Sequence, residues 1–235
     1  MTANGRQLAL LGGFELHDNG DTVALPMSAQ RVLAFVALQD HAVLRTYVAC
    51  RLWLESSDDH ATNSLRSALW RLRQSGCDVV EATGAKLRIA SGVAVDAREA
   101  SVWSQRLLAG EVDAVADEVN GYELLGELLP DWYDDWVVLE RERLRELRAH
   151  ALESLCERLT AEARFAEAME TVQAAVRLDP LRESAHRLLI RIHLAEGNQF
   201  EAVTHYRLYR RLLQDKLGLR PSPQMQQLMT PMARG

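Results

Sequence analysis

The chain has 235 residues, room for one or two domains, and 48% of them are hydrophobic, ordinary for a globular core. Lys and Arg number 27 against 33 Asp and Glu, a formal net charge of −6. Nine of each sign fall in residues 1–95, so that half is neutral and the acidic excess lies beyond it. Such a balance excludes a strongly basic nucleic-acid binder; any contact with nucleic acid must rest on a local patch. No apolar run approaches the roughly 18 residues of a membrane span. The opening MTANGRQLALLGGFELHDNG lacks a charged start followed by a long apolar run, so a cytoplasmic protein without a membrane partner is expected. Cys50, Cys77 and Cys156 are odd in number and far apart, which fits neither a disulfide framework nor a zinc site.

In chain order, LALLGGFEL (8–16) and TVALP (22–26) read as short strands joined by the turn-rich HDNGD. Ser28 is expected to cap a buried helix, SAQRVLAFVALQDH. RTYVACRLWLE (45–55) reads as a second helix with Val48, Leu52 and Trp53 inward. Arg45 and Thr46 open it, where side chains and unpaired backbone N–H groups can meet phosphate. SSDDH is a connection, and NSLRSALWRLRQSG (63–76) is a third helix, capped by Asp58 or Thr62 and stopped at Gly76.

The third helix carries three arginines and no acid. At about 100° per residue, Leu65, Ala68, Leu69 and Leu72 share one face. Asn63, Arg66, Ser67, Trp70 and Gln74 share the opposite one, flanked by Arg71 and Arg73. Asn, Arg and Ser reach base edges and phosphates in a major groove, and a flat apolar ring reaches sugar or thymine methyl. Alone, the pattern also fits a solvated amphipathic helix. After it come two β-rich runs around Thr83-Gly84, with Lys86 and Arg88 on the return arm. Strands, three helices and a hairpin make a winged helix-turn-helix, whose third helix enters the groove. The expected fold class is therefore mainly α with small β. An N-terminal winged helix-turn-helix domain (1–95) precedes an all-α tetratricopeptide-like domain (96–235).

The second domain is helical throughout. Asp96 and Glu99 resemble a capping box. The stretch from Trp132 to Leu159 is one long amphipathic helix with pairs such as Glu140 and Arg143 at helical spacing. AEARFAEA (161–168) recurs as AEGNQFEA (195–202) at an offset of 34, with Ala151 on Ala185 and Leu155 on Leu189. That period, with Asp179-Pro180 between the units, is the tetratricopeptide signature and predicts a groove for protein contacts.

LLGGFEL, VALP and SAQRVLAFVAL, NSLRSALWRLR, LLPDWYDDWVVLERERLRELRAHALE, DPLRESAHRLLIRIHLAEGNQFEA and LGLRPSP together resemble the Streptomyces antibiotic regulatory protein family across nearly the whole chain. The resemblance implies an OmpR-like winged-helix domain joined to a bacterial transcriptional activator domain. It implies binding to direct repeats of double-stranded DNA near promoters, often as a homodimer on DNA, and recruitment of RNA polymerase. Asn63, Arg66, Ser67, Trp70 and Arg71 would face the groove, with Arg71 on guanine, and Arg73 would meet phosphate. Arg45, Thr46 and Thr62 join this DNA-contact set, as do Thr83, Lys86 and Arg88 of the wing. The sequence contains no GxxxxGK[ST] phosphate loop, so no ATPase activity is implied. A protein-interaction module that no longer reads DNA, motivated by the neutral first half, and a repressor remain the competing readings.

Three other features invite a site. His186, His193 and His205 lack a carboxylate or thiol in ligand register, so no metal or cofactor is expected. Asp131, Asp134 and Asp135 come without a nucleophile pattern such as GxSxG, and no enzymatic activity is expected. Trp132, Tyr133 and Trp136 are expected to dock the two domains or hold the long helix; a polymerase or small-ligand surface is the second reading.

Overall fold

The computed structural model describes residues 5–111 and 126–229, which form two compact units. The first holds 5–102 and 126–144, the second 103–111 and 145–229. The first therefore takes in a segment well beyond residue 95.

In the first unit, β1 (Arg6–Ala9), β2 (Glu15–Asp18) and β3 (Asp21–Thr22) form an antiparallel meander, with β3 turning at Asn19-Gly20. Strand β7 (Val93–Val95) pairs parallel to β1 and completes a sheet of order β3-β2-β1-β7. The expected strand over 22–26 keeps only Thr22 as strand: the hairpin is spent early and the chain breaks toward Pro26. Helix α1 (Met27–Ala37) starts one residue before Ser28, with Pro26 as its N-cap at φ −67°. Proline needs no donor there and its fixed φ leads into the helix, so Ser28 is not the cap.

Helix α2 (Arg45–Leu52) buries Val48 and Leu52 while Trp53 ends it half-buried. Helix α3 (Asp58–Gln74) begins five residues before Asn63. Its cap is Ser57, whose hydroxyl accepts the His60 N–H at 3.5 Å, rather than Asp58 or Thr62. Asp58 and Asp59 instead fill the first turn, where acids favour the positive end of the helix dipole. Gly76, at φ +75°, follows the helix as its left-handed stop. Strands β5 (Val80–Thr83) and β6 (Lys86–Ile89) form the wing, and β4 (Val43–Leu44) adds to β6.

Helix α4 (Asp96–Ala109) opens with a carboxylate that does more than cap it. Asp96 accepts its neighbour Ala97 N–H at 2.6 Å and also the backbone N–H groups of Leu10 and Leu11 at 2.9 Å. Arg98 donates to the carbonyls of Ala37 (2.6 Å) and Gln39 (2.5 Å), satisfying acceptors at the end of α1. Residues 126–129 lie beside 10–12 through Gly12 N–H to Glu127 O (2.7 Å) and Leu129 N–H to Leu10 O (2.8 Å). Glycine suits position 126, since a Cβ there would sit 3.2 Å from the backbone of Leu11 and Gly12, a tight approach that would make the neighbouring chain give way.

The second unit is helical. It contains the end of α4, residues 145–161 of α5 (Asp135–Ala161), α6 (Phe165–Leu178), α7 (Glu183–Ala195), α8 (Gln199–Leu217) and α9 (Pro223–Met229). Ala151, Leu155, Ala168, Leu189 and Ala202, all from the repeat alignment, are buried. The 34-residue period extends to the turns. Ala163 N–H bonds Thr160 O and Arg164 N–H bonds Leu159 O; thirty-four residues on, Gly197 N–H bonds Leu194 O and Asn198 N–H bonds His193 O. Arg182 ties the first repeat to the second through Glu146 and Glu153, each at 2.8 Å. His186, 4% exposed, sits between Pro180 O (2.9 Å) and the His205 ring (2.8 Å) and stacks on Tyr209. Burial holds His186 below the usual imidazole range and takes His205 down to about 4.

Both repeat turns pass through left-handed backbone, at Ala163 (φ +57°) and Gly197 (φ +83°). Alanine is strained there and glycine is not. Ala163→Gly should therefore raise stability by about 0.5–1 kcal/mol despite the looser unfolded chain, measured by urea melts. A loss of stability would mean the turn is not strained.

Candidate nucleic-acid interface

The interface candidate is α3. Leu65 (3% exposed), Ala68, Leu69 and Leu72 are buried where α3 packs on α1 and α2. That leaves Asn63, Arg66, Ser67, Trp70, Arg71 and Arg73 exposed, and Trp70 keeps 60% of its surface open to water. From His60 to Cys77 there is no acidic residue. Arg66 donates to the Asn63 side-chain carbonyl at 3.2 Å, which preorganises two members of this face. Thr62 is exposed within the helix.

The wing lies in the same unit. Thr83 and Lys86 are exposed beside its Gly84-Ala85 turn. Arg88 is exposed but held by Glu81, with Nε donating at 2.7 Å, and this pairing holds the Glu81 carboxyl below its usual range. Its charge is thus partly spent within the wing. At the start of α2, Thr46 is exposed and Arg45 half-buried. The Arg45 N–H is already given to Ala85 O at 2.8 Å, so that backbone donor is not available to a phosphate.

Sequence reasoning missed a hollow of about 370 Å³ on one flank of α3. His60, Ser64, Ser67 and Arg71 line it from the helix, Ser28 from α1 and Trp53 from the end of α2. Arg71 donates to the Ser28 hydroxyl at 3.4 Å. The signal for it was present as spacing: residues 60, 64, 67 and 71 form a stripe at i, i+4, i+7 and i+11. Reading Ser28 as a cap, and His60 as a loop residue, hid it.

The aromatic trio divides. Trp132 and Trp136 are buried, Trp132 stacking on Phe14 at 6.0 Å and Trp136 meeting Phe35 edge-on at 5.2 Å. Arg141 then collects the carbonyls of Leu128, Leu129 and Trp132, and Arg31 of α1 bonds Asp134 at 2.5 Å. All of these lie within the first unit and fix the start of α5 there. Tyr133, 83% exposed, takes no part. Among the described residues no cluster of His, Cys, Asp or Glu could hold a metal ion, and no helix is long and apolar enough to cross a membrane.

Residues 110–231 match the family described as the bacterial transcriptional activator domain. The chain belongs to that family. Bacterial transcriptional activator domain proteins are regulators of transcription rather than a class of enzymes. The regulatory protein AfsR of Streptomyces coelicolor is 28% identical over 94% of this chain, and AfsR of Streptomyces griseus is 27% identical over 97%. The chain covers 24% of each, so it spans about a quarter of the length of these curated relatives. These relatives bear out the resemblance to Streptomyces antibiotic regulatory proteins. Mycobacterium tuberculosis EmbR, solved in complex with a low-affinity phosphopeptide, shares the fold with a TM-score of 0.68 at 22% identity. That likeness covers 97% of this chain and 65% of EmbR. The fold class is thus a winged helix-turn-helix followed by tetratricopeptide-like helices.

The two environments of the trio predict opposite outcomes. Trp136→Ala should cost roughly 3–5 kcal/mol, as for other buried aromatics. Tyr133→Ala should stay within about 0.5 kcal/mol. Chemical denaturation of the two variants checks this; equal effects would contradict the packing.

Proposed function

We propose that the first unit binds double-stranded DNA sequence-specifically through α3. The protein then acts as a transcriptional activator, its helical repeats serving contacts with RNA polymerase and a second copy of the chain at promoter direct repeats. The observation that carries this reading is the outward face of α3: Asn63, Arg66, Ser67 and an exposed Trp70 on a helix whose other face is buried. Bases would be read by Asn63, Arg66, Ser67 and Trp70, and phosphates met by Arg73, Thr46, Thr62, Thr83 and Lys86. Arg45 contributes charge from a half-buried position, and Arg88 from an exposed one already paired with Glu81. In this reading DNA contact belongs to residues 1–95, protein contact to the repeats beyond Asp96, and residues 126–144 brace the DNA-binding fold. The setting is the cytoplasm, at the nucleoid. Membership in an activator family favours activation over repression.

The test is selection of duplexes from a randomised pool, followed by fluorescence anisotropy on the selected and a scrambled duplex. The parent should prefer the selected duplex at least about 1,000-fold, the lower range for specific readers. Arg66→Ala and Trp70→Ala should each lose about 1–3 kcal/mol of that preference. Failure to enrich any sequence would overturn the reading and favour a protein-interaction module, the reading that the neutral first 95 residues support.

A further inference from the structure

The hollow beside α3 has a chemistry unlike the rest of this acidic chain. It offers one guanidinium (Arg71), three hydroxyls (Ser28, Ser64, Ser67), the Asn63 carboxamide and the His60 imidazole, and no carboxylate. Every one of these can donate a hydrogen bond. We infer that it seats one phosphodiester of the DNA backbone, with Arg71 as the clamp for that phosphate and not a reader of bases. This rests on the proposal that α3 binds DNA.

Three observations support the assignment. The first is position. The stripe of His60, Ser64, Ser67 and Arg71 is turned about 70° from the line through Asn63, Trp70 and Gln74. A helix about 10–12 Å across nearly fills a major groove about 12 Å wide, so its flanks meet the groove walls, which are phosphate backbone. The hollow lies where a wall would run.

The second is the state of Arg71. Arg88 spends its charge on Glu81 and Arg31 on Asp134. Arg71 is exposed and rests on a neutral hydroxyl, that of Ser28, with no carboxylate among the described residues in ion-pair reach. A guanidinium held this way keeps its full charge and its remaining N–H donors for an anion, and its orientation is already restricted. The third is the origin of the lining. Ser28 comes from α1, Trp53 from the end of α2 and the remaining groups from α3, so three packed helices fix the hollow's shape.

Ser28 is therefore a positioning residue. It holds Arg71 across the gap between two helices and offers its own O–H to the same phosphate.

Phosphate contacts and base contacts differ in what they change on removal. Losing one phosphate contact weakens binding alike on every sequence and makes the salt dependence shallower by about one counterion. Losing a base contact lowers preference at one base pair and leaves the salt slope nearly unchanged.

The experiment is anisotropy of the whole chain on the selected and the scrambled duplex across a potassium chloride series, with parent, Arg71→Gln, Ser28→Ala and Arg66→Ala. Thermal melts confirm that each variant is folded. Arg71→Gln should weaken both duplexes by the same factor, roughly tenfold for one charged hydrogen bond, with a slope shallower by about 0.9. Ser28→Ala should show the same pattern at smaller size, while Arg66→Ala loses preference at an unchanged slope. Neutral methylphosphonate is then placed at single backbone positions of the selected duplex. One position should weaken the parent and have no further effect on Arg71→Gln. If Arg71→Gln lowers preference at an unchanged slope, Arg71 reads a base and the inference fails while DNA binding stands. If every methylphosphonate effect adds to that of Arg71→Gln, the hollow seats no phosphate. A parent that binds no duplex in a salt-dependent way sinks the DNA reading and this inference together, a distinct outcome.

Discussion

Burial of Leu65, Leu69 and Leu72 against α1 and α2 is the constraint from which the interface follows. Each such leucine is worth roughly 1.5–3 kcal/mol out of water. Rotating α3 far enough to hide Trp70 would expose all three, a cost comparable with the stability of a whole domain. The outward orientation of Asn63, Arg66, Ser67 and Trp70 is therefore set by the core and not by a bound partner. Ser57 at one end and Gly76 at the other fix where this rotation starts and stops. The hollow at Ser28 and Arg71 is a second consequence, because the stripe that lines it stands at a set angle from the leucines.

Within the first unit, polar side chains do the joining that short strands cannot. Asp96 takes the N–H groups of Leu10 and Leu11, Arg98 takes carbonyls at the end of α1, and Arg141 takes three carbonyls of residues 128–132. Each long side chain satisfies backbone groups that no strand or helix pairs. Trp132 and Trp136 fill the space beside Phe14 and Phe35 and anchor the start of α5. In the second unit side chains join neighbouring helices to one another directly, Arg182 through Glu146 and Glu153, and His186 through His205. The helical repeats thus carry polar staples between neighbours over a core of small residues such as Ala151, Ala168, Ala185 and Ala202.

What could be read from the sequence was local and periodic. The two faces of α3 came from the leucine spacing, the wing from a turn glycine between β-rich runs, and the repeat from an offset of 34 that the turn hydrogen bonds obey. What could not be read was non-local or a competition between two good options. The parallel pairing of β7 with β1 joins residues far apart, with no turn to announce it. Pro26 and Ser57 won their caps over Ser28, Asp58 and Thr62, since proline sets φ and the two aspartates suit the first turn better. The packing of 126–144 with the first unit depended on tryptophans whose partners, Phe14 and Phe35, lie a hundred residues away. Pairing of Arg88 with Glu81 was legible only once the wing register was known.

The central claim is that the exposed face of α3 lies against DNA. Photo-crosslinking from that face tests it most directly. A benzophenone amino acid replaces Trp70 in one protein and Tyr133, still more open to solvent but remote in sequence, in another. Each is irradiated with a selected duplex. The account predicts efficient crosslinks to DNA from position 70, confined to one site on the duplex, and none from position 133. Crosslinks from neither position, or equally from both, would contradict it.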